Sequence, residues 1–368
     1  MKSKVSLVLA LFLTVTTLLM GCGSGGSDSG SGSKSGSNSG SGAPANSSGT
    51  SANSGTSESS QSGGKELTIA NVPKMIGIAW WDRFNEGNKK FSSENPNVNI
   101  FQTGATQPDA SQQVRVLEDV IAQKVDGITV IPNDPTSVEP VLKKAMDQGI
   151  IVVSHEASML QNVHYDLEAF KNADYGAHLM DQLAELIGEE GEYAIMVGGL
   201  TMQTHIEWAD GAVARQKEKY PNMKLVTDYV ESGAEGQQGA YEKAKELIAA
   251  YPNLKGIIGM DAVNPPGIAL AIEETGNTGK IVTVGTSLVS MSKQYLENGS
   301  IAKISFWDPA LAAEAMAKIV TLVAENKEIT DGMDLGVPGY NSVLVDGKVI
   351  YGSAWIDVTT DNMGDYNF

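Results

Sequence analysis

The fold is decided by residues 127–154, which read GITVIPNDPTSVEPVLKKAMDQGIIVVS. Two short apolar runs rich in β-branched residues lie at its ends, at 127–131 and 150–154. Between them, in residues 135–148, apolar side chains recur at helical spacing. These are Val138, Val141, Leu142, Ala145 and Met146. The stretch therefore predicts two parallel strands joined by a crossover helix.

The same alternation of short apolar runs and helical segments extends from residue 66 to about residue 323. It predicts strands at 67–70, 98–101, 127–131, 150–154, 193–197, 224–230, 256–260 and 280–285. The pattern occurs twice, with four strands each time, and breaks near residues 165–174. Such alternation is typical of parallel sheets covered by helices on both faces. We therefore predict an α/β fold of two doubly wound parallel-sheet lobes joined by a hinge.

The boundaries of the two lobes follow from this pattern. The N-terminal lobe is predicted to cover residues 65–168, completed by about 301–328, and the C-terminal lobe 169–300, completed by about 329–368. The returning segment contains a predicted β-hairpin at 342–351, because Asp346-Gly347 is a strong turn signal. The chain is expected to cross between the lobes near residues 166–172, 297–301 and 325–331.

The N-terminal 64 residues have a different composition. Lys2 and Lys4 precede an apolar run at 5–20, which ends at Gly21-Cys22. A short apolar core after a basic start is typical of a secretory signal, and the run is shorter than the roughly 20 residues that span a bilayer. Leu19-Met20-Gly21-Cys22 resembles the lipobox of bacterial lipoproteins, which implies acylation of Cys22 after cleavage. Residues 1–22 are thus a predicted lipoprotein signal peptide.

Residues 23–64 consist mainly of Gly, Ser, Asn and Ala. A segment of this composition cannot bury apolar surface, so we predict a disordered linker. A long tether of this kind suits a protein attached to the outer face of the membrane of a Gram-positive cell. The predicted localisation is therefore extracytoplasmic and lipid-anchored.

Charge and cysteine content narrow the classes of partner. The chain carries a net charge of −18; residues 1–64 contribute three lysines and two acidic residues, which leaves −19 on residues 65–368. This acidity disfavours nucleic acid as a partner. Cys22 is the only cysteine, so neither an internal disulfide nor a CxxC-type metal site can form. No cofactor and no metal are predicted, and we expect a monomer.

In the first lobe, the candidate ligand-binding residues follow the predicted strands. Trp80, Trp81 and Asp82 follow the first strand, and the flat faces of the two indoles suit a sugar ring, although they could instead close the edge of the lobe. Asn133 and Asp134 follow the third strand, where they could bind ligand hydroxyls or cap the next helix. The fourth strand ends at His155-Glu156, a pair suited to polar contact with a ligand.

The second lobe offers a similar set. Its candidate ligand-binding residues are Thr204, His205, Asp261, Ala262, Thr286 and Asp308. Asp261 and Asp308 could each act as an N-cap instead. In doubly wound sheets, ligands lie outside the carboxyl ends of the strands, which is why these positions are favoured.

Several longer stretches resemble one known family. They are VPKMIG at 72–77 followed by the tryptophan pair, AMDQG at 145–149, AAYPNL at 249–254, Trp307-Asp308, and the ending from Asp361-Asn362 to DYNF at 365–368. Together they resemble the sugar-binding proteins of ABC importers with the type I periplasmic-binding-protein fold, in the branch that binds rhamnose and autoinducer-2. The resemblance covers residues 66–368 and implies a hinged clamp that delivers a sugar to a transporter permease.

The resemblance also implies ligand contacts at Lys74, at His155-Glu156, at Thr204-His205 and at Met260 with Ala262. Lys74 and Ala262 match the autoinducer-2 pattern. Glu156 and Thr204 each replace an aspartate of that pattern, His205 replaces a glutamine, and Met260 replaces a proline. These replacements predict a neutral monosaccharide, a pentose or a 6-deoxyhexose such as rhamnose, as the tight ligand.

Three other functions are compatible with parts of this sequence. An autoinducer-2-binding protein of the same branch, or a sugar sensor feeding a kinase, would use the same binding physics. A metal-dependent sugar enzyme could use His155, Glu156, His205 and Asp261. However, the sequence holds no HExxH, phosphate-binding loop or nucleophile elbow, so we predict no catalytic residues.

Overall fold

The computed structural model describes residues 66–368. The predicted signal peptide, the linker and Cys22 lie outside the described residues. The strands are β1 (Leu67–Val72), β2 (Val98–Gln102), β3 (Gly127–Val130), β4 (Ile151–His155), β5 (Tyr165–Glu168), β6 (Glu190–Val197), β7 (Asn222–Leu225), β8 (Val230–Glu231), β9 (Leu254–Gly259), β10 (Val282–Thr286), β11 (Lys303–Phe306), β12 (Leu344–Asp346), β13 (Val349–Tyr351) and β14 (Ile356–Val358).

The helices alternate with these strands. They are α1 (Ala79–Glu94), α2 (Ala110–Ala122), α3 (Pro135–Asp147), α4 (Asn172–Ile187), α5 (Gln203–Lys219), α6 (Gln237–Ala250), α7 (Asn264–Glu274), α8 (Val289–Glu297) and α9 (Pro309–Ala324). None of the helices formed by residues 66–368 is both long enough and apolar enough to cross a membrane.

The strands form two sheets. The first has the order β12-β13-β5-β4-β3-β1-β2, and the second has the order β14-β11-β10-β9-β6-β7, with β8 also paired to β6. Neighbouring strands are parallel except in the β12–β13 and β11–β14 pairs. The predicted α/β fold of two parallel-sheet lobes is confirmed.

The quoted stretch forms the predicted unit. β3 and β4 pair in parallel, with Gly127 opposite Ile151, and α3 connects them. Four of the five apolar residues of the α3 stripe are buried; Met146 is half-buried. Burial of this stripe against the sheet stabilises the helix more than its intrinsic propensity does.

Three strand predictions need correction. The predicted strand at 224–230 is two short strands, β7 and β8, of which β8 pairs with β6 near its carboxyl end. β5 lies where the sequence predicted a break, and β11 was not predicted. Both β5 and β11 are only four residues long and end directly at a crossing between lobes, so their pattern is too short for periodicity to identify.

The path of the returning segment also differs from the prediction. β11 belongs to the second sheet, whereas α9 packs against α1 and against β3 and β4 of the first lobe. The β12–β13 hairpin, predicted for the second lobe, extends the first sheet through β5. The chain therefore crosses between lobes at residues 169–171, 307–308 and 352–355. The first crossing lies in the predicted region; the crossings predicted at 297–301 and 325–331 are wrong.

Candidate functional site

A cavity of about 450 Å³ lies between the two lobes. Segments that follow the carboxyl ends of strands form its walls, after β1, β2 and β4 in the first sheet and after β6, β8, β9, β10 and β11 in the second. Ligands of doubly wound sheets bind at these ends. The volume lies in the range of about 300–1,000 Å³ that is usual for small-molecule pockets. This cavity is the candidate ligand site.

The first-lobe wall carries a buried ion pair. Lys74 Nζ lies 2.5 Å from Glu156 Oε2, and the two side chains are 7% and 4% exposed. Glu156 has a backbone φ of +57°, in the left-handed region that non-glycine residues rarely adopt. Backbone strain of this kind occurs at ligand sites where the surrounding structure holds a side chain in place. Here it directs the carboxylate toward Lys74.

Two amide side chains behind the ion pair hold the strand ends together. Gln113 Nε2 donates to the carbonyls of Pro73 and Ile131, at 3.0 and 2.7 Å, and its Oε1 accepts from the Asn133 backbone N–H. Asn133 Nδ2 donates to the carbonyl of Lys74, at 2.7 Å. These bonds join the segments after β1 and β3, so Asn133 positions Lys74 rather than lining the cavity.

The second-lobe wall carries a histidine and a carboxylate. The backbone N–H of Gly198 donates to His205 Nδ1, at 3.3 Å. Burial, with a smaller contribution from the Lys74 charge, lowers the pKa of His205 well below its usual value. The ring is therefore neutral at pH 7, and because Nδ1 accepts a hydrogen bond, its proton belongs on Nε2.

Asp261 lies beside His205 at the end of β9. Its Oδ1 accepts from the backbone N–H of Val263, at 3.1 Å. Burial raises the pKa of Asp261, while the Val263 N–H and the Lys74 charge act in the opposite direction. The absence of a side chain at Gly198 leaves room for this carboxylate, since a Cβ there would lie 2.3 Å from Asp261 Oδ2.

Tryptophans from both lobes complete the walls. Trp80 meets Trp307 edge-on, with ring centroids 4.8 Å apart, and Trp208 lies 5.7 Å from Trp307. Trp80 and Trp81 are each 4% exposed and lie in the first turn of α1, not in the loop before it. They line the cavity and also belong to the hydrophobic core of the protein.

The structure brings eight of the predicted ligand-binding residues to the cavity wall. They are Lys74, Trp80, Trp81, Glu156, His205, Asp261, Ala262 and Thr286. Thr286 is buried and lies with its Oγ1 3.0 Å from the Tyr175 hydroxyl. These residues come from both lobes, as a clamp requires.

The other six predicted residues lie outside the cavity wall. Asp82 is exposed, and Asn133 lies behind Lys74. Asp134 caps α3 by accepting from the Thr136 N–H, at 3.0 Å. Asp308 caps α9 and forms a two-bond ion pair with Arg83, at 2.6 and 2.9 Å. Asp134 and Asp308 therefore act as helix N-caps, the alternative role that the sequence allowed for each of them, and not as residues of the cavity wall.

The remaining two, His155 and Thr204, support the wall. His155 is 1% exposed, and its Nδ1 lies 2.5 Å from the carbonyl of Leu167. Thr204 Oγ1 donates to the carbonyl of Glu156, at 2.8 Å. Because Thr204 lies in the first turn of α5, in the second lobe, this bond connects the two lobes directly beside the ion pair.

Sequence reasoning missed several wall residues. They include Met75, Ile78, Gln107, Met202, Trp208, Met291 and Trp307. Trp307 could have been selected, since it lies between β11 and α9, at a strand-to-helix junction, whereas Trp208 lies in the second turn of α5. The methionines carry no signal of this kind, because methionine is equally common in an ordinary core. No three His, Cys, Asp or Glu side chains within residues 66–368 are placed to hold a metal ion.

A glycine pair at the cavity edge offers a test of the site. Gly198→Ala should lower ligand affinity at least tenfold, because the new methyl group would displace the Asp261 carboxylate. Gly199→Ala is the matched control, since the nearest atom to its Cβ is 3.5 Å away. Titration calorimetry of both variants would measure the difference. Equal affinity of the two variants would exclude Asp261 from the binding site.

Two parallel-sheet lobes that enclose a ligand-sized cavity and are joined by three short crossings define a cleft-type solute-binding protein. The chain belongs to the periplasmic binding protein domain family, whose model matches residues 69–328.

Relatives in this family carry names of binding proteins. The D-ribose/D-allose-binding protein of Pseudomonas aeruginosa is 23% identical over 241 residues, which cover 63% of this chain and 74% of the relative. The D-allose-binding periplasmic protein of Escherichia coli is 23% identical over 249 residues, or 66% and 79% of the two chains.

Solved structures show the same fold. LsrB from Clostridium saccharobutylicum, in complex with AI-2, has a TM-score of 0.76 and 21% identity, covering 82% of this chain and all of that chain. An ABC transporter solute-binding protein from Clostridium phytofermentas with bound L-rhamnose has a TM-score of 0.75 and 20% identity. The match covers 82% of this chain and 98% of that chain. The resemblance to sugar-binding proteins of ABC importers is confirmed.

Proposed function

We propose that the protein is the extracytoplasmic solute-binding lipoprotein of a sugar ABC importer and that it binds a neutral monosaccharide, a pentose or a 6-deoxyhexose. The cavity wall carries this proposal: among the described residues that line it, Lys74 is the only lysine or arginine, and it is already paired with Glu156. An anionic sugar would have to compete with Glu156 for Lys74, and its negative charge would lie in the same cavity as Asp261. A neutral ligand avoids both costs.

The walls suit a small polyol with an apolar face. Indole rings can stack on the C–H face of a sugar, and the ion pair, His205 and Asp261 offer donors and acceptors from opposite sides. Two of the named relatives bind ribose or allose, and the two solved structures hold AI-2 and L-rhamnose. The ligand classes of these proteins support a sugar of this size for the present cavity.

The three crossings support ligand binding by closure of the lobes. Beside the Thr204–Glu156 bond, Gln203 Nε2 donates to Ser158 Oγ, at 3.2 Å, and Ser158 Oγ lies 3.5 Å from Glu207 Oε1. These contacts connect the segment after β4 with the first two turns of α5. Closure about the crossings would form them and bury the ligand, which is the usual hinge motion of such clamps.

Titration calorimetry with sugars that differ at a single carbon tests the proposed ligand. D-fucose, D-galactose and D-galacturonate share one ring configuration and carry a methyl, hydroxymethyl or carboxylate group at C5. We expect a neutral sugar to bind tightly and D-galacturonate to bind at least a hundredfold more weakly. Tighter binding of autoinducer-2 than of every pentose and 6-deoxyhexose would instead favour the alternative function, a receptor for that signal.

The location of the protein forms the second part of the proposal. The basic start, the short apolar run and the lipobox-like residues 19–22 support acylation of Cys22 at the outer face of the cell membrane. The linker at 23–64 would then tether the clamp, as a monomer, near the transporter permease of a Gram-positive cell. A sensor that feeds a kinase would share this arrangement, and only loss of sugar uptake on gene deletion separates the two.

Replacement of the acylation site tests the anchor. Cys22→Ser should move the protein from the detergent phase to the aqueous phase or to the medium, without a change in ligand affinity. Partitioning between detergent and water, followed by immunoblotting, measures this. Identical partitioning of variant and wild type would show that the chain is not a lipoprotein.

A further inference from the structure

Two carboxyl groups are buried side by side in the first lobe, just before the chain crosses to the second. Asp166 and Glu168 lie two residues apart in β5, so their side chains share one face of the sheet, and each is 1% exposed. Asp166 Oδ1 accepts from the Ser154 hydroxyl, at 2.6 Å, and from the Ala157 backbone N–H, at 3.2 Å. Within residues 66–368, no N–H or hydroxyl group donates to Asp166 Oδ2 or to Glu168 Oε1, and both atoms are buried. We call Asp166 and Glu168 the carboxyl pair.

The carboxyl pair holds a proton. Its two side chains lie within hydrogen-bond range of each other, and such a bond needs a proton on one of them, because an ionised carboxylate has no donor. Burial raises the pKa of both groups, and the charge of Asp166 raises that of Glu168 further. Like charges this close do not both ionise. The proton therefore belongs on Glu168, with Asp166 as the acceptor.

Glu207 of α5 brings a third carboxylate toward the carboxyl pair from the second lobe. Its Oε2 accepts from Asn172 Nδ2, at 2.7 Å, and its Oε1 lies 3.5 Å from the Ser158 hydroxyl of the first lobe. In addition to burial, the Glu207 charge raises the pKa of both members of the pair. Residues of both lobes, among them Ser158, Asn172, Glu207 and Tyr351, line a second cavity of about 580 Å³. Separation of the lobes would therefore remove this charge and admit water to the pair.

Other titratable groups face the carboxyl pair from the elements around it. Besides burial and the charge of Asp166, the Glu156 charge raises the pKa of Glu168. Burial and the Glu168 charge raise the pKa of Tyr340 and of Tyr351, so neither tyrosine is ionised at pH 7. Negative charge from both lobes thus opposes ionisation of Glu168. The full set is His155 and Glu156 at the end of β4, Glu207 in α5, Lys171 at the first crossing, and Tyr340, Lys348 and Tyr351 in the returning segment.

We propose that closure of the lobes takes up one proton at the carboxyl pair and that the protein therefore binds its sugar more tightly at acidic pH. This proposal rests on the proposed function, because a ligand must close the clamp. The pair is not part of the cavity wall, but Ser154 and Ala157, the donors to Asp166, lie on either side of His155-Glu156 in the chain. A second negative charge on the pair would face Glu207 across the lobe boundary and oppose closure.

The direction of the pH dependence follows from the open and closed forms. In the open form, water returns the pKa of Glu168 toward its usual value of about 4.3, and below that pH both forms are protonated and affinity is constant. Above it, binding takes up a proton, and affinity falls by up to about tenfold per pH unit until the closed-form pKa is passed. Burial lowers the pKa of His155 and of His205, so proton release from these rings would give the opposite trend.

Titration calorimetry on the full mature chain tests the proton uptake. L-rhamnose, D-fucose and L-arabinose are the probes, and the one that binds most tightly is measured in phosphate and in Tris at pH 7, because these buffers differ in their enthalpy of ionisation. We expect uptake of roughly half to one proton per complex and an affinity at least about tenfold higher at pH 5.5 than at pH 8.

Charge-neutral variants assign the proton to the carboxyl pair. In Glu168→Gln the amide donates to Asp166 as the protonated carboxyl does, so the affinity at pH 5.5 should stay within about threefold of the wild type while the uptake and the pH dependence disappear. Glu207→Gln removes the charge from the second lobe and should weaken the pH dependence. Glu185→Gln is the control for an exposed carboxylate and should behave as the wild type.

Each result separates the proton uptake from sugar binding itself. Equal affinity at pH 5.5 and pH 8, with the same heat in both buffers, would overturn the proton uptake but leave the proposed function intact. A pH dependence that survives in Glu168→Gln would place the proton on another group, such as Asp261, and would also overturn the proposal. Failure of every neutral pentose and 6-deoxyhexose to bind at either pH would overturn the proposed function and the proton uptake together.

Discussion

Lys74→Met should destabilise the apo protein by about 3–5 kcal/mol and abolish measurable ligand binding. The substitution leaves the carboxylate of Glu156 buried, at 4% exposure, without its partner. Removing one member of a buried ion pair is far more costly than removing both. Denaturant unfolding would give the stability change and titration calorimetry the affinity.

The double variant Lys74→Met/Glu156→Gln is the internal check on this prediction. It removes both charges, so most of the lost stability should return while binding stays weak, because neither the ammonium nor the carboxylate is present for the ligand. Lys143→Met provides an exposed comparison, since Lys143 and its partner Asp147 are 60% and 63% exposed. Such a pair contributes about 0–1 kcal/mol. A double variant as unstable as the single one would show that the cost has another origin.

Trp80→Ala should cost about 3–5 kcal/mol in the free energy of unfolding, the range for truncating a buried aromatic side chain, and should also weaken sugar binding at least tenfold. The indole is 4% exposed and packs edge-on against Trp307, so the truncation opens a void in the core and removes part of the cavity wall. If Trp80 lay in a loop and stacked on the sugar, as the sequence suggested, its replacement would weaken ligand binding without lowering the stability of the apo protein.

Trp80→Phe is the matched variant for this prediction. It keeps an aromatic ring against Trp307 and should retain most of the stability, while the smaller ring covers less of the sugar. Apo melting curves and calorimetry on the two variants separate the two contributions. An apo protein whose stability is unchanged by Trp80→Ala would show that the ring belongs to the wall alone.

The candidate site was predicted best where a residue's position along the chain determines its location. Lys74, Glu156 and Asp261 lie within two residues of the ends of β1, β4 and β9, and His205 lies in the first turn of α5, the helix that follows β6. The carboxyl ends of parallel strands meet at one edge of a sheet. All four line the cavity. Whether they contact a ligand stays a prediction, which the calorimetry above tests.

The site was predicted less well where the same residue type can either bind a ligand or cap a helix. Asp134 and Asp308 occupy positions equally suited to a ligand hydroxyl and to a helix N-terminus, and the structure gives both to capping. Met260 was predicted as a ligand contact by the resemblance, but Met202 and Met291, which line the same cavity, were not, because the three residues are far apart in the chain. Only the order of β6, β9 and β10 in the sheet brings them together.

The sequence by itself determined the alternation of strands and helices, the parallel sheets and the edge at which a ligand site should lie. These depend on local periodicity and on short connections, which a single chain displays directly. The tertiary structure alone decided where the chain crosses between lobes, that Leu344–Tyr351 completes the first sheet, and that Trp80 is both core and wall. Those features depend on pairing and packing between segments far apart in the chain, such as β5 with β13 and Trp80 with Trp307, and local composition does not encode such contacts.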